Sequence, residues 1–269
     1  MNQRILILLT LFFIIVSCEK RNAPFTDTPV IESYLSPGEH PVVRISRQIP
    51  FSSDAEYSSD DINSLDVRLI SENSSHTLTN SAEGIYTNRT IAIGEEEYEL
   101  SFVFNSKNVS ASTTVPSKPE NFIASDNSIS VSRMTEGSFG QMGSFQMPEP
   151  LYLTWNNGDN SYYLVVIECM ESVLDPVREF NDSISVGNMF RKTPVTSQGI
   201  EIRPQEFQYF GRHRIILFHV LPDYASLYDE KVSSSQNLTN PSTSIKNGYG
   251  IFTGLNSDTL FIQVNEAAR

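Results

Sequence analysis

Apolar residues recur at every second position through much of the first half of the chain. Val43, Ile45 and Ile49 alternate with Arg44, Ser46 and Gln48. Leu65, Val67 and Leu69 alternate with Asp66 and Arg68, and Tyr98, Leu100, Phe102 and Phe104 with Glu97, Glu99 and Ser101. Pro29 to Tyr34 opens this series; Ala111, Thr113 and Val115 close it. A strand with one face on a core and the other in water produces a period of two. Turn-forming stretches separate the runs, at Ser36 to Gly38, Ser52 to Ser59, Glu72 to Ser75, Gly94-Glu95 and Asn105 to Asn108. Short strands at this spacing predict an antiparallel sandwich.

Pro116 and Pro119 stop strand pairing on both sides of a short linker, which predicts a domain boundary. Beyond it, Phe122 to Arg133 reads as a strand pair, and Leu151, Leu153 and Trp155 as a strand before the turn Asn156 to Asp159. Tyr162 to Cys169 and Gly211 to Val220 carry apolar residues on both faces, the mark of central strands covered on both sides. Tyr224, Leu227 and Tyr228 form a helical stripe that Asp223 can cap, which predicts a short helix near 223–235. Gly248 to Phe252 and Leu260 to Val264 supply the last strands. The expected fold is mainly β: two antiparallel β-sandwich domains of immunoglobulin or fibronectin type, at 29–116 and 120–266, the second carrying the helix.

Met1 to Cys18 is patterned differently. One early cation, Arg4, precedes Ile5 to Val16, which is apolar except for Thr10. That run is short of the roughly 20 apolar residues a membrane span needs and fits a signal-peptide core. Ile15-Val16-Ser17-Cys18 has the form of a bacterial lipobox, so the expectation is a signal peptide at 1–17, lipidation at Cys18 and a polar tether at 18–28.

Charge narrows the partners. The chain has 19 Lys+Arg against 32 Asp+Glu, a net −13. Such a surface repels phosphate backbones, which argues against nucleic acid, and leaves membrane anchoring to acyl chains. Of the two cysteines, lipidation of Cys18 would leave Cys169 alone, in an apolar run that predicts a buried, inert thiol.

Catalytic and metal motifs of recognised spacing are not found in the sequence. His213 and His219 sit about 20 Å apart along a strand, too far to share a metal. The acidic run Ser52 to Asp61 reads as a solvated loop, without the glycine turn of a calcium loop. No metal, cofactor or catalytic residue is expected, and the chain reads as a non-enzyme. The candidate ligand contacts are aromatic. Trp155 and Tyr162, beside Tyr152 and Tyr163, are weighed as a stacking platform against a core role. Phe139 and Phe145 lie in the Gly- and Met-rich stretch Thr135 to Pro150, which reads as a loop, with an adaptable apolar surface as its alternative.

Several fragments, in order and spacing, resemble a known family. They are Cys18-Glu19-Lys20, Tyr34 to Glu39 leading into Val43 to Arg47, Gly84-Ile85-Tyr86, and Tyr98 to Leu100 leading into Ala111 to Pro116. Tyr224 and Tyr228, Asn237 to Pro241, and Asn247 to Phe252 complete the set. The chain resembles the DUF four-two-four-nine family of Bacteroidota cell-envelope lipoproteins over nearly its whole length. The resemblance implies a lipidated, two-part β-protein of a kind often encoded near TonB-dependent outer-membrane transporters, and no catalytic residues. In that setting Asp182-Ser183-Ile184 and Asp258-Thr259-Leu260 match a short O-glycosylation signal, which makes Ser183 and Thr259 candidate acceptors. The expected role is a lipid-anchored, non-enzymatic outer-membrane accessory of uptake that meets a glycan, a peptide or the transporter. A surface adhesin or fimbria-like subunit is the alternative. The acid-poor start Glu19-Lys20-Arg21 departs from a surface-export signal, whereas the uptake role favours surface exposure.

Overall fold

The last strand, β15 (Tyr249–Glu266), runs through the whole molecule and organises it. The structure, a computed structural model, describes residues 27–48, 58–135, 149–179, 187–228 and 243–267. The first half supplies β1 (Pro29–Leu35), β2 (Val42–Arg47), β3 (Val67–Ser71), β4 (Ser74–Ala82), β5 (Ile85–Thr87), β6 (Glu97–Phe104) and β7 (Lys107–Thr114), with helix α1 (Asp60–Asn63) before β3. The second half supplies β8 (Ile123–Ala124), β9 (Ser128–Val131), β10 (Leu151–Thr154), β11 (Tyr162–Cys169), β12 (Met189–Arg191), β13 (Gly199–Ile202) and β14 (Gly211–Val220), then helix α2 (Pro222–Ala225) and β15. The protein is mainly β, and most of its strands form one large mixed sheet.

That sheet runs β12-β11-β14-β15-β1-β2-β5-β4-β3-β6-β7, with β9 also bonded to β15. A smaller sheet has the order β13-β10-β8. Residues 249–254 of β15 pair with β1 in parallel, and residues 255–264 pair with β14 antiparallel. The N-terminal part curls until β7 returns to the segment before β15, where Ser110 and Lys246 exchange two backbone hydrogen bonds. The Gly254 N–H then donates to Thr113 Oγ1 at 2.9 Å.

Two main cores result. The first collects the inward positions of β1–β7, among them Ile31, Val43, Leu69, Leu100 and Phe102, and takes Ile245 and Phe252 from the far end of the chain. The second fills the space between β11-β14-β15 and the small sheet, with Leu151, Leu153, Trp155, Val165, Leu217 and Ile262. β11 is buried on both faces, because Tyr163, Val165 and Ile167 enter this core while Leu164 and Val166 join a separate cluster on the outer face.

Several expectations are corrected. The sheet is mixed rather than antiparallel, since β1 and β9 both run parallel to β15. No tight hairpin fixes the direction of strands that meet from distant parts of the chain. Phe122 to Arg133 is not a strand pair: β8 bonds to β10 and β9 to β15. The two expected last strands are one. Glu72 to Ser75 is only partly a turn, because β4 begins at Ser74. Asp60 and Asp61 belong to α1, so the acidic run is not loop throughout, and Asp61 pairs with Arg47. α2 begins with Pro222 in its first turn and has no side-chain cap. The Asp223 carboxylate instead accepts from Thr253 Oγ1 on β15, at 2.9 Å. Leu227, expected on the buried stripe, is exposed.

Candidate functional site: an outer-face groove

Strand alternation on β11 and β14 puts half of their side chains in the second core and half on the outer face. The outer set is apolar: Leu164 and Val166 from β11, Ile216, Phe218 and Val220 from β14, and Leu255 from β15. They line a groove of about 180 Å³. Tyr224 of α2 closes one side, and Met189 and Arg191 of β12 bound another.

Aromatic rings stiffen the α2 side. Tyr224 meets Tyr34 edge-on with centroids 5.9 Å apart, and Tyr228 lies 6.0 Å from Tyr224. Burial, then a hydrogen bond with Tyr228, pushes the Tyr224 phenol well above its ordinary pKa, and burial, then the charge of Glu32, does the same for Tyr34. Both stay neutral at any physiological pH.

At the other end Glu168 and Arg214 satisfy each other. Arg214 Nε and Nη2 both donate to Glu168 Oε2, at 3.1 and 2.5 Å. Arg191 is different: it is exposed and, among the described residues, has no ion-pair or hydrogen-bond partner. Its charge is felt by the Tyr34 and Tyr224 phenols.

The backbone at this corner is also open. Cys169 N–H donates to Asn188 O, and Lys192 N–H to Val165 O, which fixes the bonding phase of the β11–β12 ladder. Phe190 therefore faces β11 with its backbone groups, and the N–H and C=O of Met189 and Arg191 point to the outer edge. β12 is the terminal strand of the sheet.

The sequence-derived candidates fall elsewhere, with one exception. Tyr162 packs half-buried against the outer-face cluster. Trp155 is 3 % exposed and closed inside the second core, against Phe122 and Tyr163, so it presents no stacking platform. Its indole Nε1 is buried without a hydrogen-bond partner. Tyr163 is buried and stacks on His219 at 4.8 Å, while Tyr152 is exposed on the small sheet. Thr259 is exposed on β15. Phe139, Phe145, Ser183 and Cys18, with the signal peptide and most of the tether, lie outside the described residues.

Three titratable side chains of the sheet are buried. Cys169 is buried, and burial raises its thiol pKa. His213 is buried, its Nδ1 3.1 Å from the Gly211 carbonyl, and burial lowers its pKa. His219 Nδ1 lies 2.9 Å from the Ser117 carbonyl. Among the described residues no group of three His, Cys, Asp or Glu stands close enough to hold a metal ion, and no helix is long and apolar enough to cross a membrane.

Fold and site together define a mainly β protein with an apolar groove beside a guanidinium that is unpaired among the described residues. Residues 19–260 match a family described as a domain of unknown function (DUF4249), and the chain belongs to that family. None of the curated proteins compared with the chain matches it.

Arg191 was not singled out in the sequence. Met189-Phe190-Arg191 is too short for a period, and the placement of Arg191 depends on pairing with Val166, 25 residues earlier.

Proposed function

We propose that this is a lipid-anchored, non-enzymatic accessory protein of the outer membrane. It captures a ligand, or helps hand one over, beside a TonB-dependent transporter. In this reading the two cores are two sandwich-like modules that share β15, and the chain faces the cell exterior. The observation that carries it is the outer-face groove, an apolar recess with one uncommitted cation, which is binding chemistry rather than catalytic chemistry. Two further features support it. The lipobox form of Ile15 to Cys18 supplies the anchor. The tether joins the fold next to Pro29, while Tyr34, on the groove's aromatic rim, stands five residues further along β1, about 17 Å away.

The test uses the tagged full-length protein in its native membranes. The wild type should fractionate with the outer membrane, take up acyl label and co-purify with a TonB-dependent transporter in mild detergent. Cys18→Ala should lose the label and become soluble. A Cys18→Ala protein that keeps both label and membrane location overturns the anchor. A wild type that co-purifies with copies of a fimbria-like subunit and no transporter overturns the uptake role.

A further inference from the structure

We propose that the groove takes the C-terminal residue of a peptide, with its apolar side chain on Val166 and Ile216 and its α-carboxylate on the guanidinium of Arg191. The inference rests on the reading above and names the ligand class for the same site. Three features of one corner carry it.

The first is charge. The chain is strongly acidic, with a net −13, yet the groove's charged residues are two arginines and one carboxylate. Arg214 and Glu168 cancel, which leaves Arg191 as an exposed cation at an apolar mouth. A guanidinium presents a planar fork that matches a carboxylate in bidentate fashion.

The second is size. A volume of about 180 Å³ corresponds to about six waters of the liquid. It has room for one leucine or phenylalanine side chain, and its floor of Leu164, Val166, Ile216 and Phe218 offers a sugar no side-chain hydrogen bonds.

The third is the open edge of β12. Met189 and Arg191 turn N–H and C=O groups outward beside the guanidinium, with no partner among the described residues. A peptide leaving the groove across this edge finds backbone partners there, as in strand addition. An alkyl carboxylate has no groups to use them.

Isothermal titration of the full-length protein in detergent tests the proposal. The probes are an N-acetylated tripeptide ending in leucine, as the free acid and as the C-terminal amide, and octanoate. The free acid should bind at least tenfold more tightly than the amide and than octanoate. Arg191→Gln should weaken the acid at least tenfold and abolish the distinction between acid and amide, while Arg191→Lys keeps part of it. Because Arg191 is exposed and has no partner among the described residues, the Gln variant should melt as the wild type does. Equal binding of acid and amide, discrimination that survives Arg191→Gln, or no heat from any probe would each overturn the proposal. Octanoate binding as tightly as the tripeptide would also overturn it, in favour of a simple apolar carboxylate. Any of these failures beside an intact transporter association removes only the ligand assignment; loss of that association removes the uptake role instead.

Discussion

Phe252→Ala should destabilise the two halves of the molecule together. Phe252 is 0 % exposed and belongs to the first core, although it lies on β15. Ten residues further along the same strand, Ile262 lies in the second core. The strand is bonded continuously, to β1 over 249–254 and to β14 over 255–264, so it cannot leave one half without disturbing the other. Truncating a fully buried phenylalanine removes its transfer free energy and leaves a cavity, costing about 3–5 kcal/mol. For a chain of this size each kcal/mol lowers the melting temperature by about 2–4 °C, so the expected shift is about 6–20 °C. The assay has a built-in local reporter, because Trp155 is the single tryptophan and is buried in the second core. Its fluorescence reads the second half, whereas far-UV circular dichroism reads all strands. Both probes should show one transition, shifted by the same amount in the variant. A tryptophan transition that stays at the wild-type temperature, with circular dichroism splitting into two steps, would refute the coupling.

Two further predictions address the fold. Gly250 has φ +102° and a Cβ there would run into the Ile31 carbonyl, so Gly250→Ala should cost about 2–5 kcal/mol in chemical denaturation, while Gly158→Ala, with open space around it, stays within about 0.5 kcal/mol of wild type; equal effects would contradict the close approach of β15 to β1. His213 is held neutral because burial lowers its pKa, so the unfolded chain binds the extra proton below about pH 6.5. Its contribution is therefore present above that pH and is lost as pH falls through it; His213→Phe should flatten the stability profile between pH 7 and 5, and an unchanged slope would contradict the assignment.

Legibility followed the physics of each segment. β1, β2, β6 and β7 alternate because one face meets a core, and their pattern survives in any pairing. β4 was invisible because Leu78 is its one buried residue among nine. The partners of β8 and β9 are not legible in the sequence, because strand partnership is a long-range fact that neighbouring residues do not encode. β15 read as two strands because Thr253, Asn256 and Asp258 interrupt its apolar runs. In the fold that stretch sits at the junction of the halves, where buried Asn256 donates to Glu95 Oε1 and to the Pro116 carbonyl. The floor of the groove was legible as the second apolar face of β11 and β14. Its cation was not, because Arg191 is brought there by the register of a three-residue edge strand.

In the proposed function the protein is anchored with its groove open and facing outward. Met189 stands on the groove rim and is 41 % exposed, and Cys169 is buried with a raised thiol pKa. In the proposed function the Cys18 sulfur is held in a thioether to diacylglycerol; the wild type then has no reactive thiol, and Met189→Cys introduces one at the groove. Intact cells carrying the full-length variant are treated at neutral pH with a membrane-impermeant maleimide. Met189→Cys should be labelled rapidly and the wild type not at all. Labelling that requires the outer membrane to be breached would contradict surface exposure, and a variant that stays unlabelled even in lysate would contradict an open groove.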